Sequence, residues 1–429
     1  MWTMDKILDI THSFITNKKL MATSFKLILP DDRIERLQYI RRMFPQAKGR
    51  NLIDAWQGGR KQAFARLQAV NASAYGRNRN FINGAVTRLS PYLRHGCLTV
   101  KETVDHIQQH FGKQGAKLVE ELAYRDFWRQ NWYRHGNAIM SDMEEPKVAL
   151  GNNMLPAFIP QGITGLPCMD EVVRELLNEG YVHNHGRMWF AAYIIHWLKV
   201  DWRRAADWFE AQLLDGDKAS NHLSWQWVAS TFSSKPYYFN KENLARFTGE
   251  KYCATCKIEC PFDDSYENLH QRIFSDDGPI VTKTYPVNMP EKAPISKHSS
   301  VSVYVHDEML SSTNPLTKLA MPKVFVFDEA LYDHWPLKRI QFMADCLSEM
   351  PNVDVWLGDT RTVLQELGVG QVISQNTPNL QVKALLAPFN PIWQEEEKLT
   401  HVELSLKRLA RFTRYWEKVQ PDILGEQTA

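Results

Sequence analysis

The hydrophobic period of the chain changes once, near residue 285, and that change sets what it can fold into. Before it, apolar residues recur at helical spacing. In KLVEELAYRDFWRQNW, Leu118, Val119, Leu122, Ala123 and Phe127 share a face. TVKETVDHIQQHFG opens with the capping box Thr99-x-x-Glu102 and stops near Gly112. DEVVRELLNEG predicts a short helix with Asp170 near its start and Gly180 at its stop. RMWFAAYIIHWLKVDWRRAADWFEAQLL is apolar on several faces and predicts two buried helices joined near Val200-Asp201. After the change, VSVYV, KVFVFD, VDVWLGD and GQVISQ read as short strands, with PLKRIQFMADCLSEM and TRTVLQELG as helical patterns between them. That alternation predicts a small parallel α/β domain. TYPVNMPEKAPISKHSS, without periodicity, reads as a linker.

The expected division is a helical domain over 1–285 with its core at 65–240, a linker at 286–297, an α/β domain over 298–390 and a C-terminal amphipathic helix over 391–429. In that last helix Lys407, Arg408, Arg411 and Arg414 read as a solvated face rather than a nucleic-acid site. The chain has 429 residues and a formal net charge of +2, which excludes neither an anionic nor a neutral partner. Fourteen Trp, 15 Tyr and 20 Phe are many to bury without polar partners, and an aromatic-lined cavity would use them. No apolar run is long enough to span a bilayer, and Asp5, Lys6 and Asp9 interrupt the N-terminal apolar residues. The expectation is a soluble, cytoplasmic monomer with no membrane partner.

Six cysteines do not make a disulfide framework in a chain this long. CATCKIEC places Cys253, Cys256 and Cys260 at a spacing that fits zinc or an iron–sulfur cluster. No fourth ligand is visible nearby, so the expectation is reduced thiols in a loop and no metal.

Four other segments concentrate polar chemistry. Thr87 and Arg88 precede Ser90-Pro91, a helix start that suits phosphate. Glu121, Tyr124, Arg125 and Trp128 fall on one side of a helix, where the plain reading is a salt-bridge ladder from Glu121 to Arg125. HNHGRM holds two histidines, for which satisfied loop residues are the commoner reading than metal ligands. DGDKASNHLSWQW joins two carboxylates to Asn221, Trp225 and Trp227; the carboxylates can accept from ribose hydroxyls or a ring N–H, and the indoles can stack on a planar ring. A dinucleotide with a flat ring would use all of these groups.

TRLSPYLRHGCLT, ELAYRDFWR, TGLPCMDEVVRELLNEGYVHNHGRM and DWRRAADWFEAQLLDGDKASNHLSWQWVAS resemble, in order and spacing over about 65–240, the motifs of the photolyase/cryptochrome flavoproteins. The resemblance implies a mainly α, FAD-binding helical domain followed here by a small α/β, Rossmann-like domain. It implies that Tyr75, Thr87, Arg88, Leu89 and Ser90 hold the FAD pyrophosphate. Asn184 and Arg187 would lie by the flavin, with Arg187 ion-paired to Asp215; Asp215 and Asp217 would meet its flavin and ribose side, and Asn221 would face N5. It further implies light-driven electron transfer from reduced FAD to a cyclobutane pyrimidine dimer flipped out of damaged DNA, single-stranded DNA included. Glu121, Asn184, Met188 and Trp227 match the residues around the dimer, and Trp225 and Trp202 match the first two tryptophans of the chain that reduces the flavin.

The departures are as specific as the matches. Tyr124 stands where the repair enzymes usually have Trp, and the third tryptophan of the reducing chain falls at Ala149. Two DNA-gripping arginines correspond to His185 and Asn240, while Arg79 and Arg125 remain. The α/β segment looks like the family's antenna domain moved behind the flavin domain. Its usual Asp-Leu-Arg run reads Glu308-Met309-Leu310, so no antenna chromophore is assigned. The alternative within the family is a cryptochrome-like blue-light photoreceptor that binds FAD without repair.

Overall fold

The computed structural model describes residues 24–275, 282–284 and 299–425; the linker expected at 286–297 lies outside them. The strands are β1 (Phe25–Leu27), β2 (Ser300–Tyr304), β3 (Lys323–Phe327), β4 (Asp354–Leu357), β5 (Val369–Gln375) and β6 (Ile392–Gln394). The helices that position the site are α1 (Arg33–Met43), α2 (Ser90–Arg94), α3 (Val100–Phe111), α4 (Ala116–His135), α5 (Pro167–Glu179), α6 (Asn184–Ala192), α7 (Trp202–Gln212), α8 (Lys218–Ala229), α9 (Lys241–Thr248), α10 (Leu337–Ser348) and α11 (Phe412–Leu424).

Local rules set most of these bounds. Thr99 accepts the Glu102 N–H and starts α3, and Gly112 ends it at φ +48°. Gly180 closes α5 in the left-handed conformation. The apolar run after Met188 is two helices, α6 and α7, with one π-helical turn at Tyr193–Trp197 between them. Its residues are buried because they lie in the middle of a helical core that runs from Ile159 to Phe262.

The sheet runs β1-β4-β3-β2-β5-β6. The five strands from β2 to β6 are parallel to their neighbours, and β1 is antiparallel to β4. Counted from β2, the parallel strands take the order 3-2-1-4-5 of an open doubly wound sheet. Every residue of β3 is buried, as a strand covered on both faces requires.

Two expectations are corrected by the sheet. First, it draws on both ends of the chain. Phe25 pairs with Leu357, and Arg36 of α1 donates to the buried Asp345 of α10 at 2.9 Å. Residues 25–43 therefore pack with the α/β part, and 285 does not divide the two structures. A three-residue strand has no alternation to read, and the partner of Arg36 lies 309 residues away. Second, 391–429 is not one helix. Residues 392–394 form β6 against β5, and among the described residues of this stretch helix appears only at Leu406–Leu409 and in α11. Lys407 and Arg414 are exposed, but Arg411, just before α11, forms a two-pronged ion pair with Glu144.

The helical and α/β parts share one apolar core, which extends from Leu27 through the α4 residues Leu118–Trp132 to the sheet. Their junction is close. At Gly96, with φ +68°, a Cβ would lie 2.1 Å from the Glu308 carbonyl oxygen, so only glycine fits. Residues Leu337 to Leu347 of α10 are all buried, including Lys338 and Arg339. Lys338 donates to the Leu177 carbonyl at the end of α5 at 2.9 Å, and Arg339 lies over the Trp335 ring at 3.4 Å. Among the described residues no helix is long and apolar enough to cross a membrane.

Candidate functional site

The segment that leads into α2, together with α4, α6 and α8, surrounds a cavity of about 640 Å³. It is large enough for much of a dinucleotide and of the size typical of ligand sites. Sixteen of the predicted residues line it: Tyr75, Arg79, Thr87, Arg88, Ser90, Glu121, Tyr124, Arg125, Asn184, Arg187, Met188, Asp215, Asp217, Asn221, Trp225 and the partly exposed Trp227. Two predicted residues do not. Leu89 is 1% exposed in the core, and Trp202 is buried behind α8.

The floor is electrostatic. Arg187 donates through Nε to the Val182 carbonyl at 2.8 Å and through Nη2 to Asp215 Oδ2 at 2.8 Å. The expected Arg187–Asp215 pair is therefore present, with Asp215 buried and the guanidinium over the Tyr181 ring. Asp217 caps α8 by accepting the Ser220 N–H at 2.7 Å and faces Arg125 Nη2 at 3.3 Å. Burial alone would raise the Asp217 carboxyl; Arg125, Arg94 and Arg129 outweigh it and hold it below the ordinary range. Asn221 donates to the Ala206 carbonyl at 2.9 Å, which fixes its amide at the cavity wall.

The salt-bridge ladder read from the sequence does not form. Glu121 pairs with Lys117 at 3.0 Å and with Arg79 at 3.3 Å, and Arg125 turns inward to Asp217. Arg79 and Arg125 are thus held by carboxylates inside the cavity rather than presented as free surface cations. Burial lowers the His185 pKa to about 4, so this side chain is neutral at pH 7 and offers no charge in place of an arginine. Asn240 has a local job: it caps α9 by accepting the Asn243 N–H at 2.9 Å. His183 accepts the His185 N–H and pairs with the Arg79 carbonyl, which uses both of its ring nitrogens.

Aromatic residues form the walls. Trp225 is buried and packs on Phe209 at 5.8 Å between ring centroids. Trp202 donates its N–H to Asp142 at 2.9 Å and meets the edge of His222, which α8 carries three residues before Trp225. Trp227 is 40% exposed and rests on Tyr237. Asn184 Nδ2 lies 3.4 Å from Met188 Sδ, one helical turn on. Tyr124 has one ring face covered: Phe412 of α11 stacks on it at 3.4 Å and 11°. Sequence reasoning missed Phe412, because no period or motif links it to Tyr124. It also missed Tyr181, whose ring lies under both Arg88 and Arg187.

Arg88 holds φ +53°, a region that costs a non-glycine residue roughly 1–2 kcal/mol. That strain sets its guanidinium over Tyr181 at the cavity edge. Arg88→Gly should raise unfolding free energy by about 1 kcal/mol in thermal or denaturant melts while weakening binding of an anionic ligand.

The donor set fits FAD: guanidinium groups for the pyrophosphate, buried carboxylates for hydroxyl and N–H donors, an anchored amide and apolar walls. Residues 118–254 match the family model described as the FAD binding domain of DNA photolyase. A deoxyribodipyrimidine photo-lyase of Streptomyces griseus is 33% identical over 206 residues, which cover 47% of this chain and 43% of that protein. A chloroplastic/mitochondrial cryptochrome DASH of Ostreococcus tauri is 30% identical over 215 residues, covering 46% and 38%. The crystal structure of a Synechocystis cryptochrome aligns with a TM-score of 0.44 and 25% identity over 51% of this chain and 56% of that one. The chain spans less than half the length of these two curated relatives. The matched segment, 118–254, supplies most of the residues that line the cavity and is similar to the FAD binding domain of DNA photolyase.

Proposed function

We propose that the chain is a light-driven DNA repair flavoprotein acting on cyclobutane pyrimidine dimers. One observation carries this reading: a single cavity is lined both by the flavin set, Arg187, Asp215, Asp217 and Asn221, and by the lesion set, Glu121, Asn184, Met188 and Trp227. Bound, reduced FAD supplies the light-excited electron that splits the dimer. Arg88, Ser90 and Thr87 hold its pyrophosphate, and Arg187 and Asp215 hold its ring side. Trp227, partly exposed at the mouth, stacks on a flipped base, and Glu121 hydrogen-bonds it. Trp225 borders the cavity and Trp202 lies behind it, an order suited to passing electrons inward.

On this reading the α/β part is an antenna-type domain placed after the flavin domain. A doubly wound sheet binds ligands where its strand order reverses, here beyond the C-terminal ends of β2 and β5. That crevice is filled from within: Arg129 forks onto Glu308 at 2.9 Å, and Thr377 donates to the same carboxylate. The filling supports a protein that works without a chromophore there.

The test is illumination of the reduced, flavin-loaded protein with dimer-containing single- and double-stranded DNA. Dimer loss supports repair; unchanged dimer at full flavin occupancy ends the claim. Trp227→Ala should weaken binding of dimer-containing DNA about ten- to hundredfold, from one lost stacking contact, with flavin content unchanged.

A second reading, a cryptochrome-like photoreceptor, is favoured by Phe412. Its stack on Tyr124 couples the cavity wall directly to α11, so a change of flavin charge could move the C-terminal helix. A lit-versus-dark change in hydrogen exchange over 406–424, without repair, would establish it.

A further inference from the structure

One backbone oxygen receives two buried arginines. The Gly216 carbonyl accepts from Arg94 Nε at 2.7 Å and from Arg339 Nη2 at 2.5 Å. Gly216 stands between Asp215 and Asp217 in the turn that joins α7 to α8. Both carboxylates line the flavin cavity, and neither arginine does. Arg94 comes from α2, but Arg339 comes from α10, the crossover helix between β3 and β4 in the α/β part. We infer, on the reading that the cavity binds FAD, that Arg339 is a positioning residue for this turn. Through the Gly216 carbonyl, α10 sets where Asp215 and Asp217 stand, and so how tightly the cavity holds FAD.

Three features support the assignment. The first is what Arg339 does with its charge. It is fully buried, and its hydrogen bonds run to two neutral acceptors, the carbonyls of Gly216 and Glu210, the second at 3.4 Å. Burying a cation against neutral acceptors is costly, so stability gives no reason for a guanidinium here. The second is closeness. A Cβ at Gly216 would lie 2.6 Å from Arg339 Nη1 and 2.5 Å from the Glu210 carbonyl oxygen, so the turn is pressed onto the guanidinium. The third is the neighbouring cation. Lys338 holds the Leu177 carbonyl at 2.9 Å, and a Cβ at Gly180 would lie 3.0 Å from its Cε. Gly180 in turn accepts the Leu214 N–H at 2.8 Å. Consecutive residues of α10 thus brace the two segments that supply the partners of Arg187, the Val182 carbonyl and the Asp215 carboxylate.

A carbonyl that accepts from two charged donors has both lone pairs engaged. With one donor gone, the peptide after Gly216 can turn, and the carboxylates on either side turn with it. Asp217 then loses its alignment on the Ser220 N–H, and Asp215 its alignment on Arg187.

The flavin-free full chain should be titrated with FAD as wild type, Arg339→Met and Arg339→Lys. Methionine keeps an apolar stem against Trp335 and strips no carboxylate of an ion pair, so this variant should melt close to wild type. Its FAD affinity should fall about tenfold, the size of one hydrogen bond from a charged group. Arg339→Lys, which keeps the charge and a donor, should recover part of that loss. Without flavin, peptides over 213–221 should exchange their amide hydrogens faster in Arg339→Met, because the Ser220 bond to Asp217 loosens. In an Asp215→Ala background the effect of Arg339→Met on affinity should shrink, since both act through one turn. Unchanged affinity in both Arg339 variants, or a loss that simply adds to that of Asp215→Ala, overturns the inference. So does a lowered melting temperature with affinity intact, the mark of a purely structural arginine. Should Arg339→Met fail to fold, Arg339→Lys carries the same comparisons. A wild type that takes up no FAD sinks the cofactor reading, and exchange over 213–221 then decides by itself whether Arg339 holds the turn.

Discussion

Arg129→Ala should lower the unfolding free energy by about 3–5 kcal/mol at pH 7, read from the denaturant midpoint. Arg129 donates to both oxygens of Glu308 at 2.9 Å and to Glu396 at 2.9 and 3.0 Å. Glu308 is buried at the joint between α4 and the end of β2, beside Asp307, which Arg94 holds at 2.6 Å. Truncating Arg129 leaves two carboxylates crowded in that joint with one arginine fewer. The cost is mainly that of an uncompensated buried charge and not the net worth of the pair. Glu308→Ala in the same background should recover part of the loss, since the removed residues are in contact.

The same joint sets the response to acid. Burial would raise the carboxyls of Asp307 and Glu308, but Arg94 and Arg129 respectively overcome it and hold both below the ordinary range. Their contribution is present above the unfolded carboxylate pKa of about 4 and is lost as pH falls through the depressed folded values. His95, beside them, is pushed down to about 3 by burial and then by Arg94 and Arg339. The unfolded chain takes up that proton below about 6.5 while the native one does not, so His95 already costs stability from 6.5 downward. Wild type should therefore weaken continuously from pH 6.5 into acid. In Arg129→Ala, Glu308 loses its main cation and its pKa rises, so the variant should fall less steeply below pH 4.5 and the gap to wild type should narrow. A gap independent of pH would contradict this account.

What could be read in advance follows the range of the forces involved. The α3 cap, the α5 stop and the break between α6 and α7 are set by neighbours three or four residues apart, and the sequence displays them. The lining of the cavity was legible because a motif resemblance places its residues in register. Contacts between distant elements left no such trace. Arg125 satisfies Asp217 across 92 residues instead of Glu121 across four. Phe412 covers Tyr124, and Cys168 lines one cleft with Cys253, Cys256 and Cys260, through packing that no local period encodes. β1 and β6 are three-residue edge strands, defined only by the sheet they join.

Asp215→Ala should reduce FAD affinity about a hundredfold, measured by titration of the flavin-free protein. Arg187 is aimed by two groups, the Val182 carbonyl and the Asp215 carboxylate, and only the carboxylate is charged and two-pronged. Without it the guanidinium keeps one neutral acceptor and the Tyr181 ring, and the cavity loses both an acceptor and the placement of a donor. Two charge-assisted hydrogen bonds of about 1.5 kcal/mol each amount to about 3 kcal/mol, or two orders of magnitude. Arg187→Ala strips the same contacts but also leaves Asp215 buried with its carboxylate unpaired, so it should lose fold stability as well as flavin. Comparing the two variants separates the roles: equal melting of Arg187→Ala and wild type would place Arg187 in ligand binding alone. Asp215→Asn, which keeps an acceptor in place, should fall between Asp215→Ala and wild type. An unchanged flavin affinity in Asp215→Ala would mean that the ring side of FAD does not lie against this pair.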